Sequence, residues 1–201
     1  MKSTLALEVG DAESLARVGA DVAVAGFFRD QRPLRGGAGL ADWRLCGFVS
    51  RLLVAARAQG ELGEAVLTTT HGRFRAPKLL LVGLGPRPRY GADAHRAAVE
   101  RAVDRLLDLG ASSAAVDLPP PGGEGAVESL AEGIVEGACA ALDPRTARFL
   151  LRVVAVGGTA GRLRTALDQA AGAHPRGATS VRLVRSPSAG SAAPNGIQQR
   201  A

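Results

Sequence analysis

Aromatic residues are scarce in this chain: Phe, Trp and Tyr make up 3% of its 201 residues, although 46% are hydrophobic. A core must therefore be built mostly from Leu, Val and Ala. A chain of this length buries enough surface to fold as one domain, with or without a tail, without disulfide or metal staples. No stretch approaches the ~20 consecutive apolar residues that a membrane-spanning helix needs. The sequence thus indicates no membrane association, and residues 1–10 are more typical of a first strand than of a signal peptide.

Cysteine and histidine, which are common metal ligands, are also few. Cys46 and Cys139 are far apart and each falls in a helical pattern, which favours free buried thiols over a disulfide. Free thiols in turn favour a cytoplasmic location. The histidines are His71, His95 and His174; none has a partner at metal-ligand spacing, and H-E-x-x-H is missing. We therefore expect no metal and no cofactor. We also expect His95, in the first turn of a helix, to be exposed to solvent.

Signatures of catalysis are missing as well. No serine lies in a G-x-S-x-G elbow. Asp104 and Asp108 share a helix face, but Arg101 and Arg105 beside them favour a solvated charged surface over an acid–base pair. The sequence predicts no catalytic residue.

Positive charge is unevenly distributed. The formal net charge is +6, yet from His174 onward the chain has arginines and no acidic residue, so this segment carries most of the excess. Its Ala, Gly, Ser and Pro content shows no sustained periodicity and offers little apolar surface to offset the ordering entropy. We therefore predict one domain over residues 1–172 and a disordered basic tail over residues 173–201.

Short apolar runs alternate with segments of helical spacing. Six strands are predicted: Leu5–Val9, Val22–Phe28, Ala65–Thr70, Leu79–Val82, Ala114–Leu118 and Phe149–Val156. The predicted helices contain Leu45–Ala56, Val99–Leu106 with an Asp93 cap and Gly110 past the end, Val127–Ala138, and Leu163–Leu167. This alternation predicts an α/β domain with a mixed or largely parallel sheet.

Two glycine-rich turns follow predicted strands. Gly83, Leu84 and Gly85 stand where a phosphate-binding turn would lie, but the third glycine of the dinucleotide fingerprint is replaced by Pro88. Gly157 and Gly158 form a second such turn, without the Gly-Lys-Ser/Thr of a P-loop. Glycines of this kind mostly serve tight turns, so we expect a structural role first and ligand binding as the alternative.

Arginines dominate the segment around Phe74 and Tyr90. Phosphate contacts to a nucleic acid would need these side chains on one surface, whereas the alternative is an ordinary arginine-rich loop surface. The candidates for such contacts are Arg73, Arg75, Arg87 and Arg89, with Arg96 nearby.

Three segments carry a family resemblance. Residues 20–28 (ADVAVAGFF) and 78–85 (KLLLVGLG) resemble two strands of the N-terminal domain of the leucyl (cytosol) aminopeptidases, which are dizinc peptidases. Residues 96–119 resemble the helix and strand that follow in that family, and Ala131-Glu132-Gly133 resembles a later helix. The resemblance covers about residues 18–140 and implies a macro-domain-like, three-layer α/β fold.

The family's catalytic half, with its NTDAEGRL signature, has no counterpart here, and no acidic residue follows Asp168. The resemblance therefore implies a stand-alone domain without peptidase activity. Such a domain would act by binding or regulating, with a full-length aminopeptidase or a second copy of itself as partner. Two alternatives stay open: a nucleic-acid-binding regulator, and a binder of a nucleotide or ADP-ribose-type ligand. The macro-like fold and the glycine turns suggest the second.

Overall fold

The computed structural model describes residues 2–10, 14–123, 126–155, 158–175 and 178–184. Its strands are β1 (Ser3–Gly10), β2 (Val22–Phe27), β3 (Ala65–Thr69), β4 (Lys78–Gly83), β5 (Ser113–Asp117), β6 (Arg148–Val154) and β7 (Thr179–Leu183). Its α-helices are α1 (Gly36–Arg44), α2 (Phe48–Val54), α3 (Ala92–Asp108), α4 (Val127–Leu142) and α5 (Ala160–Ala173). The six strands predicted from the sequence are confirmed, with ends shifted by at most two residues.

The strands form one sheet in the order β3-β4-β2-β5-β6-β1-β7. Neighbouring strands are parallel except β3, which runs antiparallel to β4 at one edge. The largely parallel, mixed sheet predicted from the alternation is therefore confirmed. β1 lies between β6 and β7, so the first and last described strands are neighbours.

Helices cover both faces of the sheet and make three layers. Side chains alternate along β2, with Val22 and Val24 on one face and Ala23, Ala25 and Phe27 on the other. The first face packs against α3, α4 and α5, and the second packs against α1 and α2. Both β2 faces are buried, as expected for a central parallel strand.

The single helix predicted from Leu45 to Ala56 is wrong. Cys46 and Gly47 have φ values of 55° and 77°, which interrupt helical geometry and separate α1 from α2. The prediction of a buried thiol holds for Cys139 but not for Cys46, which is exposed at this break. The apolar spacing across the break looks helical because α1 and α2 both pack on the same face of the sheet.

Two further boundaries differ from expectation. Gly91, not Asp93, is the N-cap of α3; Asp93 lies within the first turn, where its charge favours the helix dipole. In the segment predicted as a disordered tail, residues 179–183 form β7, whose backbone pairs with β1 while Val181 and Leu183 pack against the core. Residues 185–201 of that predicted tail lie outside the described part of the chain.

Candidate functional site

The connections after three adjacent strands diverge. β2 leads to α1 on one face of the sheet, whereas β4 and β5, on either side of β2, lead to α3 and α4 on the other face. In open parallel sheets such divergence leaves a crevice beyond the carboxyl ends of the strands. A cleft of about 860 Å³ lies at this position.

Three loops line the cleft. They are the segment from Phe28 to Gly37 after β2, the segment from Arg87 to Tyr90 after β4, and the segment from Asp117 to Gly123 at the end of β5. Crossover topology alone brings these segments together, since they are up to 95 residues apart in sequence.

Tyr90 ties two of these loops together. Its hydroxyl lies 3.2 Å from the carbonyl oxygen of Pro119 and 2.7 Å from Nδ1 of His95, and its ring stacks edge-on against Phe28 at 5.0 Å between centroids. Burial raises the pKa of Tyr90 above its usual value. The apolar wall of the cleft is therefore held in place by a neutral phenol.

His95 is buried, and the expectation that it is exposed to solvent is wrong. Its Nε2 lies 3.2 Å from the carbonyl oxygen of Leu130, which can only accept, so Nε2 carries the proton. The single hydroxyl proton of Tyr90 is then shared between Nδ1 of His95 at 2.7 Å and the carbonyl oxygen of Pro119 at 3.2 Å. Burial lowers the pKa of His95 to about 4, which keeps the imidazole neutral near pH 7. His95 therefore links α3, α4 and the Tyr90 loop.

The first turn of α1 opens onto the cleft. Arg35 is the N-cap and provides no side-chain cap, and Gly36 has a φ of 55°. The amides of Gly36 and Gly37 donate to no other described residue, because the first amides of a helix have no intrahelical acceptor. This turn therefore presents free N–H groups and the positive end of the helix dipole.

Charges of both signs line the cleft. Arg32, Arg35 and Arg87 contribute guanidinium groups, with Arg32 Nη1 donating to the carbonyl oxygens of Phe28 (3.1 Å) and Gln31 (2.7 Å). Asp30 Oδ1 accepts from the backbone amide of Arg87 at 2.9 Å, which joins the loops after β2 and β4. Asp117 lies against Gly37, and burial raises its pKa to about 6.

The predicted turn Gly83-Leu84-Gly85 lies beside the cleft but has no free amides. Their N–H groups donate to the carbonyl oxygens of Glu64 (2.8 Å), Phe27 (3.0 Å) and Gly60 (2.8 Å), respectively. A Cβ at Gly83 would collide with the carbonyl oxygen of Glu61, and Gly85 has a φ of 74°. These contacts favour the structural role. In the other predicted turn, Gly158 has a φ of 77° and Gly157 lies outside the described residues.

The four arginines proposed for nucleic acid flank the two ends of one strand. Arg73 and Arg75 precede β4, whereas Arg87 and Arg89 follow it, and a strand of six residues is about 20 Å long. Arg73 donates to the carbonyl oxygen of Arg44 at 2.6 Å, and only Arg87 of the four lines the cleft.

Sequence reasoning missed Gly36, Gly37 and Asp117. The signal was present as Arg-Gly-Gly-Ala-Gly after a buried strand, and as an aspartate closing another strand. Within the described ranges, no group of three or more His, Cys, Asp and Glu residues could hold a metal ion. No helix in that part of the chain is long and apolar enough to cross a membrane.

Among solved structures, macrodomains have a fold similar to that of this chain. A macrodomain of Oceanobacillus iheyensis superposes with a TM-score of 0.60 at 14% identity, covering 82% of this chain and 88% of that one. The macrodomain of Mycobacterium tuberculosis DarG has a TM-score of 0.57 at 14% identity, covering 75% and 98%. The macro-domain-like fold implied by the resemblance is confirmed.

The bottromycin maturation enzyme BotP is also similar, with 25% identity and a TM-score of 0.50. The match covers 76% of this chain and 30% of BotP. No curated protein matches the chain in sequence. The family model described as "Cytosol aminopeptidase family, N-terminal domain" matches residues 22–143, a range that contains every cleft-lining residue. The chain therefore belongs to the cytosol aminopeptidase family through its N-terminal domain, which has a macrodomain fold.

Proposed function

We propose that this domain acts by binding a nucleoside-diphosphate ligand, of the class that includes ADP and ADP-ribose, in the cleft above β2, β4 and β5. The observation that carries the proposal is the first turn of α1, where the free amides of Gly36 and Gly37 line the cleft. Backbone N–H groups at a helix N-terminus, together with the helix dipole, favour an anion.

Arginines flank this turn and add to the attraction for phosphate. Arg35 immediately precedes it, and Arg87 comes from the loop after β4. Guanidinium groups can bind phosphate oxygens through two parallel hydrogen bonds. A diphosphate placed between α1 and Arg87 would therefore be contacted from two sides.

The opposite loop permits close approach of a ligand. Gly122 and Gly123 have φ values of 83° and 101°, and a Cβ built at either would meet no atom within 4 Å. The backbone at these glycines therefore borders open space in the cleft. A volume of about 860 Å³ lies within the ~300–1,000 Å³ range of small-molecule and cofactor sites.

Structures of the Oceanobacillus iheyensis macrodomain with ADP and with ADPR add support, at 15% and 14% identity to this chain. At that identity the likeness shows the fold, and the ligand class is our proposal from the cleft's own residues.

Calorimetric titration with ADP-ribose and with ADP tests the proposal. Arg35→Ala and Arg87→Ala should each weaken binding by about tenfold or more, because each removes a charged donor. Arg89→Ala is the matched control: this arginine is exposed two residues farther along and does not line the cleft. Failure of the unmodified protein to bind either ligand, or equal losses in all three variants, would overturn the proposal.

A second proposal is association with an aminopeptidase subunit or with another copy of this domain. Trp43 and Val54 on the α1–α2 layer are 75% and 90% exposed, which is unusual for large apolar side chains. Family membership makes a cytosol aminopeptidase a natural partner.

Size-exclusion chromatography with light scattering, with and without a full-length cytosol aminopeptidase, tests this association. Trp43→Ser and Val54→Ser should weaken any complex. Leu109→Ser at the end of α3 is the control, since Leu109 is 40% exposed and lies outside the α1–α2 layer. A domain that stays monomeric and elutes apart from the enzyme would contradict the proposal.

A further inference from the structure

Strand β3 forms one edge of the sheet and pairs with β4 on one side only. In an antiparallel ladder, residues that bond to the neighbouring strand alternate with residues whose backbone groups point away from it. The amide of Thr70 donates to the carbonyl oxygen of Pro77 at 3.0 Å, so the even-numbered residues of this segment face β4. The amides that point away from β4 donate to no other described residue, and they belong to Ala65, Leu67 and Thr69.

The β3 edge has none of the devices that usually protect such an edge. Natural sheets keep edge strands from further pairing with charged side chains, prolines or bulges. The sequence of β3, Ala-Val-Leu-Thr-Thr, has no charge and no proline, and its five residues pair with β4 without a bulge. The side chain of Leu67 is exposed beside the free amides, whereas β7 at the other edge contains Arg182. The β3 edge can therefore accept another strand.

A cavity of about 180 Å³ opens beside the end of this edge. Since a water molecule in the liquid occupies about 30 Å³, the cavity has room for one small side chain. Thr68 and Thr69 of β3 line it together with the apolar side chains of Leu45 and Phe48. No acidic residue lines this cavity among the residues that the structure describes, but two guanidinium groups and an imidazole do: those of Arg51, Arg73 and His71.

Neither guanidinium group forms an ion pair with any described residue. Arg51 Nη1 donates to the carbonyl oxygen of Cys46 at 2.6 Å. Arg73 Nη1 donates to the carbonyl oxygen of Arg44 at 2.6 Å and contacts Sγ of Cys46 at 3.0 Å. These bonds use one nitrogen of each group, which leaves further N–H donors for a carboxylate. The cavity is therefore suited to an acidic side chain.

We propose that the β3 edge binds an extended acidic segment of a partner protein, which adds a strand beside β3 and places an aspartate or glutamate side chain in the cavity. Free main-chain groups of an edge strand supply affinity in this kind of recognition, and a pocket for alternate side chains supplies specificity. Val66 and Thr68 lie on the sheet face that carries α2, so the partner residue opposite Thr68 faces the cavity. This site is near the start of β4, at the other end of that strand from the diphosphate cleft.

Two other occupants of the edge are disfavoured by charge. A second copy of the chain would present its own β3, in which Val66 and Thr68 have no carboxylate. Its neighbouring Glu64 carboxylate already accepts from three backbone amides, those of Gln59, Gly60 and Glu61. Residues 185–201 of the same chain contain arginines and no acidic residue. Charge complementarity therefore favours an acidic partner segment.

The probe is a synthetic peptide with acetylated and amidated ends and the sequence TVTETVT, compared with TVTKTVT. Nuclear magnetic resonance titration measures the affinities and the amide exchange rates. We expect the acidic peptide to bind at least about tenfold more tightly than the basic one, because only a carboxylate pairs with Arg51 and Arg73. Exchange of the Leu67 amide should slow at least about tenfold in the complex, whereas the Val66 and Thr68 amides should exchange slowly with or without peptide.

Methylation of peptide amides tests the backbone pairing without altering the protein. One peptide is methylated at the amides of its third and fifth residues, and another at those of its second, fourth and sixth. Because only alternate amides of an added strand face β3, one pattern should weaken binding at least about tenfold and the other by less than about threefold. Equal losses from both patterns would overturn the strand-addition geometry.

Arg51→Glu tests the charge of the cavity. This variant should reverse the preference, so that TVTKTVT binds more tightly than TVTETVT. Arg57→Glu is the matched control, since Arg57 is an exposed arginine that follows α2 and does not line the cavity. Absence of binding of TVTETVT, equal affinity for both peptides, or the same loss in both variants would overturn the proposal. Protection of the Leu67 amide that grows with protein concentration alone would overturn it in favour of a second copy.

Discussion

Two glycine-containing segments sit beside one another at the carboxyl end of the sheet and behave in opposite ways. In the closed turn, Gly83-Leu84-Gly85, every amide donates to a backbone carbonyl. In the open turn, Arg35-Gly36-Gly37, the amides of both glycines donate to no other described residue. Glycine content therefore does not identify a ligand site. The distinguishing feature is whether the amides of the turn already donate to backbone carbonyl oxygens or are left free. Four substitutions can break or sharpen this comparison.

The largest effect is expected at the closed turn. Gly83→Val places a side chain where the backbone carbonyl of Glu61 lies, and backbone cannot move aside as a flexible side chain can. The free energy of unfolding should fall by about 3 kcal/mol or more, which lowers Tm by about 6–12 °C in ligand-free protein. Differential scanning calorimetry measures this change in Tm. Gly161→Ala in α5, where a Cβ meets nothing within 4 Å, should leave Tm unchanged or slightly higher.

Asp117→Asn, beside the open turn, should stabilise the protein. The folded pKa of about 6 lies above the unfolded value of 3.8, so ionised Asp117 destabilises the fold above pH 6. The variant should gain about 1–3 kcal/mol at pH 7.5, and the gain should shrink as the pH falls through 6 toward 4. Urea unfolding at both pH values measures the difference. A gain that does not depend on pH would contradict this account of the carboxylate.

A smaller loss is expected from Gly85→Ala. The φ of 74° at Gly85 lies in the left-handed region, yet a Cβ there would be 3.6 Å from Leu62, at ordinary contact distance. The only cost of the substitution is then backbone strain, which should lower the free energy of unfolding by about 1–2 kcal/mol. Chemical denaturation should show this loss, with unchanged ligand affinity. A loss as large as that of Gly83→Val would mean that the two glycines serve the same steric purpose.

The smallest change in stability is expected at the open turn. The Cβ of Gly37→Ala would meet the Asp117 side chain at 3.0 Å, and that side chain can shift by a few tenths of an ångström. The free energy of unfolding should change by less than about 1 kcal/mol, whereas affinity for ADP-ribose should fall about tenfold because the methyl group narrows the approach to the amide. Gly91→Ala, whose Cβ meets open space, is the control. Lost stability with intact binding would reverse the assignment of the two turns.

Much of the fold could be predicted from the sequence because its strands are short apolar runs with clear boundaries. Residues 78–83 are an example, since both faces of this strand are buried and the run is almost continuously apolar. β7 escaped prediction because three of its five residues, Thr-Ser-Val-Arg-Leu, are polar and the strand lies at the edge of the sheet. The break at Cys46 escaped because nothing in a cysteine signals a positive φ.

The candidate site could not be predicted in the same way. Gly37, Arg87 and Asp117 belong to three separate segments of the chain, and their proximity follows from strand order, which local patterns do not encode. The burial of His95 has the same origin, because Leu130 on α4 supplies its second partner from 35 residues away. Local hydrophobic periodicity predicts the individual helices and strands, whereas predicting a cleft between loops requires knowing the order of the strands in the sheet.

The position of β1 has a consequence for how the chain is made. Leu5 lies opposite Phe149 on one side and Val181 on the other, so β1 is synthesised well before either of its partner strands. Closing such a long loop carries a high entropic cost and delays native pairing. During synthesis, β1 therefore has neither of its partner strands until β6 emerges, and the apolar side chains of Leu5 and Leu7 stay without their native core contacts for that time.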